Sequence, residues 1–439
     1  MSLLRRQFLS LIASTSTLAM TTPQAAEPAA PEMAHVPWSR HAAIYQVNVR
    51  QFSADGTLKA AMAELPRLKA LGVDILWLMP LQPIGKLERK GTLGSYYSIR
   101  DYTAVNPEFG TLADARAYVQ AAHALGMKVI LDWVANHTAF DHPWTHEHKD
   151  WYKLDAKGEV FPVTFRAGTG SEEHWSDVTA LNYDRPALRD AMIAAMQFWV
   201  RETDLDGFRC DVASLVPLPF WERARRELDA VKPMFMLAEA DAPELHRGAF
   251  DMTYSWDLAA LFHEIGKGKA GAAALRDWVA KEPHGYPASA YRMRFTANHD
   301  FNSWNGTDAE LYGDAYLPLA VLTFTLPGMP LIYNGQESRL AKRLEFFEKD
   351  PIAWKTYELA PFYATLVALK HKHPALGNGQ YGGATTLLDV GNDQLFAFTR
   401  TLAADSVTVV VNVTKTAQSF RLGGAARSLP AAGWLIEAA

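Results

Sequence analysis

A chain of 439 residues is long enough for one large domain and a smaller one. Its 49% hydrophobic and 21% charged residues are ordinary for a globular protein, and a net charge of −5 without any Lys/Arg block excludes the basic footprint of a nucleic-acid or polyanion groove. The lone cysteine, Cys210, excludes an internal disulfide framework, and no spaced Cys/His cluster points to structural zinc.

In chain order, "MSLLRRQFLSLIASTSTLAM" has a basic front and a short, Ser/Thr-diluted apolar run, followed by the small, Pro-rich "TTPQAAEPAAPE". This is a signal-peptide pattern, too short and too polar for a membrane span. Arg5-Arg6 with Gln7, Phe8 and Leu9 resembles a twin-arginine export signal, although Leu4 stands where that pattern usually carries Ser or Thr. Residues 1–30 are therefore read as an export leader to the periplasm or the outside, cleaved within 25–30.

Short apolar runs then alternate with helix-like segments. Strands are expected at 42–49, 73–80, 127–134, 206–212, 234–240, 250–255, 291–298 and 329–334. All are continuous apolar runs, as for strands buried on both faces of a parallel sheet. Helices are expected at 58–72, closed by Gly72; at 111–126, opened by Thr111; and at 186–203, 219–231, 257–281, 311–326 and 351–372. Eight strands alternating with helices predict an α/β fold, a (β/α)8 barrel over 38–375. No GxGxxG turn follows an early strand to support a doubly wound sheet. The polar, aromatic stretch 138–181 reads as a short insert after strand 3. The short β-like runs from 376 to 439 read as a small antiparallel C-terminal domain.

In such a barrel the chemistry sits at the C-terminal ends of the strands. The third strand ends with Asp132 and then Asn136-His137, and the fourth with Arg209 and Asp211. The fifth ends with Glu239, and the seventh with Asn298-His299-Asp300. Singly, each has a plain structural reading as a brace, a paired strand end or a turn. Together they bring four acids, two histidines and an arginine to one mouth, which folding alone does not select, because clustered carboxylates repel. Two carboxyl groups, one ionised and one carrying a proton, are what glycoside cleavage requires. Arg209, two residues before Asp211 on the same strand face, is expected to keep that aspartate ionised, as suits a nucleophile. Glu239 ends an apolar strand, where burial is expected to hold its proton, as suits a general acid/base. Cys210 alternates to the opposite face and is expected to be a packing residue.

"DWVANH", "GFRCDVAS", "LAEAD" and "FTANHD" resemble the four short signature regions of the α-amylase family of retaining glycoside hydrolases. "GVDILWLMPLQPIG", "GMPLIYNGQE" and "GSYYSIRDYTAVNPEFGT" resemble further segments of that family, so the resemblance runs in order from about 41 to 340. It implies the same barrel, insert and C-terminal β domain. It also implies Asp211 as nucleophile, Glu239 as acid/base and Asp300 as the acid that binds sugar hydroxyls. Arg209 would orient the nucleophile, His137 and His299 would hydrogen-bond the sugar, Tyr97 would stack on it, and Asp132 would brace the site. The implied substrates are maltooligosaccharides or starch-type α-glucans cleaved at α-1,4 bonds.

One departure stands out. Many starch-degrading members carry Lys-His three and four residues after the nucleophile, where this chain has Ser214 and Leu215. That leaves open an exo-acting α-glucosidase, a sucrose-type enzyme or a transglycosylase of the same family. It also leaves open calcium, for which Asn136 is the ligand that can be named; no cofactor is otherwise called for. A non-catalytic carbohydrate-binding barrel would be expected to lack one of the three acids, and all are present. A metal-dependent barrel hydrolase would need His-x-His on the first strand, which reads "IYQVNVRQF" instead. The oligomeric state stays open.

Overall fold

The structure, a computed structural model, describes residues 33–166, 172–282 and 285–439; the leader read at 1–30 lies outside them. Eight strands close into a barrel: β1 (Ile44–Val47), β2 (Ile75–Leu78), β3 (Lys128–Trp133), β4 (Gly207–Cys210), β5 (Phe235–Ala238), β6 (Met252–Tyr254), β7 (Tyr291–Arg294) and β8 (Met329–Tyr333). Each pairs in parallel with the next, and β1 pairs with β8. The expected barrel is thus present, with strands shorter than the apolar runs suggested.

The two-residue period of the strands separates two cores. Ile44, Ile75, Trp77, Ile130, Leu237, Tyr254, Met293 and Leu331 fill the barrel interior. Tyr45, Leu76, Leu131, Phe208, Cys210 and Met236 face the surrounding helices. Cys210 is fully buried in that outer core, as its alternation predicts. Cys210→Ala should leave kcat within about threefold of the parent and cost roughly 1 kcal/mol of stability, because it deletes one small packed sulfur; steady-state kinetics and urea unfolding check this. Gly207 opens β4 because a Cβ there would meet the Phe235 carbonyl oxygen at 1.9 Å.

Several helices are shorter than expected, for identifiable reasons. The segment 58–72 is two helices, Leu58–Ala63 and Leu65–Leu71, with Pro66 in the first turn of the second. Proline lacks the N–H that would continue the first helix. Gly72 does close the second, in the left-handed region at φ 94°. Thr111 caps Leu112–Ala124 through a reciprocal pair with Asp114. The segment 257–281 divides into Trp256–Gly266 and Ala272–Lys281, across a glycine-containing turn. The segment 311–326 divides at Gly313 into Asp308–Tyr312 and Tyr316–Thr325. Only Ala360–Lys372 of 351–372 is helical.

After β3, a two-residue strand, His137–Thr138, joins Pro162–Arg166 and Glu172–Ala180 in a small antiparallel sheet. At the far end of the chain lie β9 (Ala384–Leu387), β10 (Leu395–Leu402), β11 (Asp405–Asn412), β12 (Gln418–Leu422), β13 (Ala425–Leu429) and β14 (Trp434–Ala438). β9, β10, β11 and β14 form one antiparallel sheet and β12–β13 a hairpin. Phe396, Phe398, Val407, Val409 and Val411 of this sheet merge with the helix-facing core, and Arg400 donates to the Thr325 carbonyl, so the β unit is welded to the barrel wall. No helix of the described residues is long and apolar enough to cross a membrane.

Candidate active site

The site is organised around one guanidinium. Arg209, on the inward face of β4, is fully buried. Its Nη1 donates to Asp132 Oδ1 at 2.9 Å and to Asp211 Oδ1 at 3.0 Å, and its Nε donates to the Tyr254 hydroxyl at 3.2 Å. Its Nη2 lies 3.0 Å from Glu239 Oε1, a charge contact off the hydrogen-bonding direction. The register makes this sharing unavoidable: Asp132 on β3 sits directly beside Arg209, and Glu239 follows β5, the strand on the other side. The expected pairing of Arg209 with Asp211 is therefore one part of a three-way contact.

This changes the electrostatics. One guanidinium cannot balance three ionised carboxylates in a buried cluster. Burial, then the charge of Glu239, pushes the Asp211 carboxyl well above the usual aspartate range; Arg209 opposes them, and Asp132 adds to the rise. Burial raises Asp132 to about 6, against the pull of Arg209. Arg209 favours the ionised form of Asp211, as expected, and desolvation and the neighbouring acids work against it. Because both carboxyls hold protons more tightly in the folded chain than in the unfolded one, they favour folding at low pH and less so as pH rises from about 4 towards 6. Asp132→Asn should therefore gain stability relative to the parent across that window, by up to about 3 kcal/mol. Urea titrations of both proteins at pH 4, 5, 6 and 7 check the sign.

Asp132 is held further by Trp77 Nε1 at 3.1 Å and by the Tyr97 hydroxyl at 3.0 Å, both on Oδ2. Tyr97, in the loop after β2, stacks on His299 at 5.5 Å between ring centroids and lies nearly parallel to Phe346 at 6.2 Å. His299 Nε2 is 2.8 Å from the Tyr97 hydroxyl and 3.2 Å from Asp300 Oδ2. His137 heads the insert strand, with Asn136 Nδ2 3.2 Å from its Nδ1 and the Trp175 ring edge-on at 5.4 Å. All eight residues singled out from the sequence lie at or beyond the C-terminal ends of the barrel strands. Hydrogen bonds, ion pairs and ring contacts link Tyr97, Asp132, Arg209, Asp211, Glu239, His299 and Asp300 into one network.

Four further residues belong to it. Trp77 and Tyr254 line its floor, and Gln46 on β1 contacts His299. Val212, directly after Asp211, adopts φ 38° and ψ 47°, a left-handed conformation that a β-branched residue rarely takes. In that turn its N–H donates to Glu239 Oε2 at 2.8 Å, tying the loop that bears Asp211 to the carboxylate on the next strand. Asn136, the ligand named for calcium, spends its side-chain amide on His137. Among the described residues no group of three or more His, Cys, Asp or Glu is placed to hold a metal ion.

Buried paired carboxyls and an arginine at the mouth of a closed parallel barrel define a site of glycoside hydrolase type. Residues 38–265 match the family model described as alpha amylase, catalytic domain. The alpha-amylase MalA of Haloarcula japonica is 29% identical over 395 residues, covering 85% of this chain and 56% of that relative. The chain thus spans little more than half of MalA's length. A cyclomaltodextrinase of a Bacillus species is 28% identical, covering 86% of this chain and 69% of its own. The crystal structure of an alpha-amylase from Lactobacillus plantarum superposes with a TM-score of 0.81 at 32% identity, covering 92% of this chain and 99% of that one. The chain belongs to the α-amylase family of glycoside hydrolases.

Proposed function

We propose that this protein cleaves α-1,4-glucosidic bonds of maltooligosaccharides or starch-type α-glucans by double displacement. The observation that carries the reading is the single guanidinium of Arg209, which holds Asp211 and Glu239 from adjacent strand ends. In the first step an Asp211 oxygen bonds to the anomeric carbon as the glycosidic C–O bond breaks, and Glu239 gives its proton to the departing oxygen. In the second, Glu239 takes a proton from water, which bonds to the same carbon, and Asp211 leaves. In this reading Asp300 receives sugar hydroxyls, and His137, His299 and Tyr97 surround the ring. Asp132 acts through Arg209 and Tyr97.

The names of relatives, an amylase and a cyclomaltodextrinase, support an α-glucan substrate. Ser214 and Leu215 begin a hollow of about 360 Å3, lined further by Val216, Pro217, Leu218, Ala242, Glu244 and Leu245. The lining is apolar apart from Ser214 and Glu244 and holds no lysine or histidine, which favours short oligosaccharides over long chains held by cationic contacts. The competing reading, transglycosylation, uses the same covalent intermediate and differs only in the acceptor. A product time course on maltoheptaose, linear starch and pullulan tests the proposal. Mixed shorter maltooligosaccharides from maltoheptaose support it. Glucose alone would assign an exo-acting α-glucosidase, and longer chains a transglycosylase. Binding without turnover would assign a non-catalytic sugar-binding barrel. We also propose export through the leader at 1–30, tested by the N-terminal mass of the protein recovered from outside the cytoplasm.

A further inference from the structure

We propose that Gln46 is a positioning residue that keeps His299 neutral, with its proton on Nε2. Gln46 lies on the inward face of β1 and is fully buried. Its two amide atoms both meet His299. Oε1 accepts from the His299 backbone N–H at 3.3 Å, and Nε2 lies 2.8 Å from His299 Nδ1. The backbone N–H is an obligate donor, so it fixes which end of the amide is the oxygen. The other end is then an NH2 group pointing at Nδ1, and Nδ1 must accept. The reverse orientation would set the amide NH2 against the backbone N–H, donor against donor.

With Nδ1 occupied as an acceptor, the ring proton resides on Nε2, and a second proton has no room at Nδ1. The Nε2–H then points at the Tyr97 oxygen, 2.8 Å away, and at Asp300 Oδ2, 3.2 Å away. The Tyr97 hydroxyl passes the polarity on by donating to Asp132 Oδ2 at 3.0 Å. One direction of donation therefore runs from Gln46 through His299 and Tyr97 to the acid that braces Arg209. The ring meets Tyr97 and Asp300, with Trp77 edge-on at 6.0 Å, Phe346 tilted at 6.4 Å and Asp132 beyond Tyr97. Beside two aspartates an imidazole would ordinarily take up a proton. The Gln46 amide opposes that. The consequence is a neutral N–H donor fixed beside Asp300 across the working pH range, and an acid cluster whose charge His299 does not neutralise.

The role in turnover rests on the catalytic reading given above; the protonation state does not. Full-length protein labelled with 15N in its histidine rings, with His299 assigned by difference from His299→Gln, reports the tautomer directly. The expected result in the parent at neutral pH is an unprotonated Nδ1 and a protonated Nε2. Gln46→Glu places an acceptor at Nδ1 and should convert His299 to the doubly protonated ring, displacing the pH profile of kcat/KM by at least about half a unit. Gln46→Met, which fills the space with neither donor nor acceptor, should lower kcat about tenfold with KM changed less than threefold, and should lower the melting temperature modestly because the buried His299 N–H loses its acceptor. A parent ring protonated on Nδ1, or a Gln46→Glu ring identical to the parent's, overturns the proposal. If the tautomers behave as stated and no variant hydrolyses any α-glucan, the protonation inference stands and the catalytic reading falls.

Discussion

Asp211→Asn is expected to lower kcat on maltooligosaccharides by roughly 10^4-fold or more, and to leave the protein as stable as the parent at pH 7 or more so. The first part follows from the proposed covalent step: an amide oxygen does not form the glycosyl bond, and Glu239, the carboxyl that both Arg209 and the Val212 N–H contact, acts in that step as the acid/base. The second part follows from the cluster. Burial and the Glu239 charge raise the Asp211 carboxyl well above its ordinary range, so its ionised form opposes folding at neutral pH. An amide of the same shape removes that repulsion. Initial rates and thermal unfolding of the same preparation separate the two effects. A variant that loses both activity and stability would assign Asp211 a structural role instead.

Arg209→Met should be the most destabilising single substitution at the barrel mouth. It leaves Asp132, Asp211 and Glu239 in contact distance of a site that no longer holds a cation. Removing one partner from a buried ion cluster costs about 3–5 kcal/mol, because the remaining charges stay desolvated. Activity should fall by about 10^2–10^3-fold, since both reacting carboxylates lose their anchor. The loss of stability has a sign with pH. Without the guanidinium, Asp132 and Asp211 hold their protons to higher pH, and in the protonated form they are tolerated. The difference from the parent should therefore be smaller at pH 5 than at pH 8. Denaturant unfolding at both values checks it, and an equal loss at both would mean that packing, not charge, is what Arg209 supplies.

The architecture was legible because it is written in short-range pattern. Runs such as 73–80 and 127–134 are apolar on both faces and short, which in alternation with helices leaves few folds. The acids stood out as a set, because clustered carboxylates at successive strand ends repel and folding alone does not select them. What escaped was set by tertiary contact. The helix at 58–72 divides because Pro66 outweighs a continuous apolar period. Gln46 carries the same signal as Asp132, a polar residue on the inward face of an apolar strand, and could have been found by asking that question of β1. The left-handed turn at Val212 has no sequence signal, since valine argues against it. The upward shift of Asp211 depends on Glu239 lying across the same guanidinium, a fact of strand order rather than of local sequence.

A glycosyl bond to Asp211 can be trapped. The full chain carrying Glu239→Gln, slow to release the intermediate, is incubated with a fluorinated glucosyl fluoride, digested, and the modified peptide is located by mass spectrometry. The expected product is one added glycosyl unit, carried by Asp211 within the peptide containing residues 206–214. A modification on any other residue, or none while the parent enzyme releases product of inverted anomeric configuration, would contradict it.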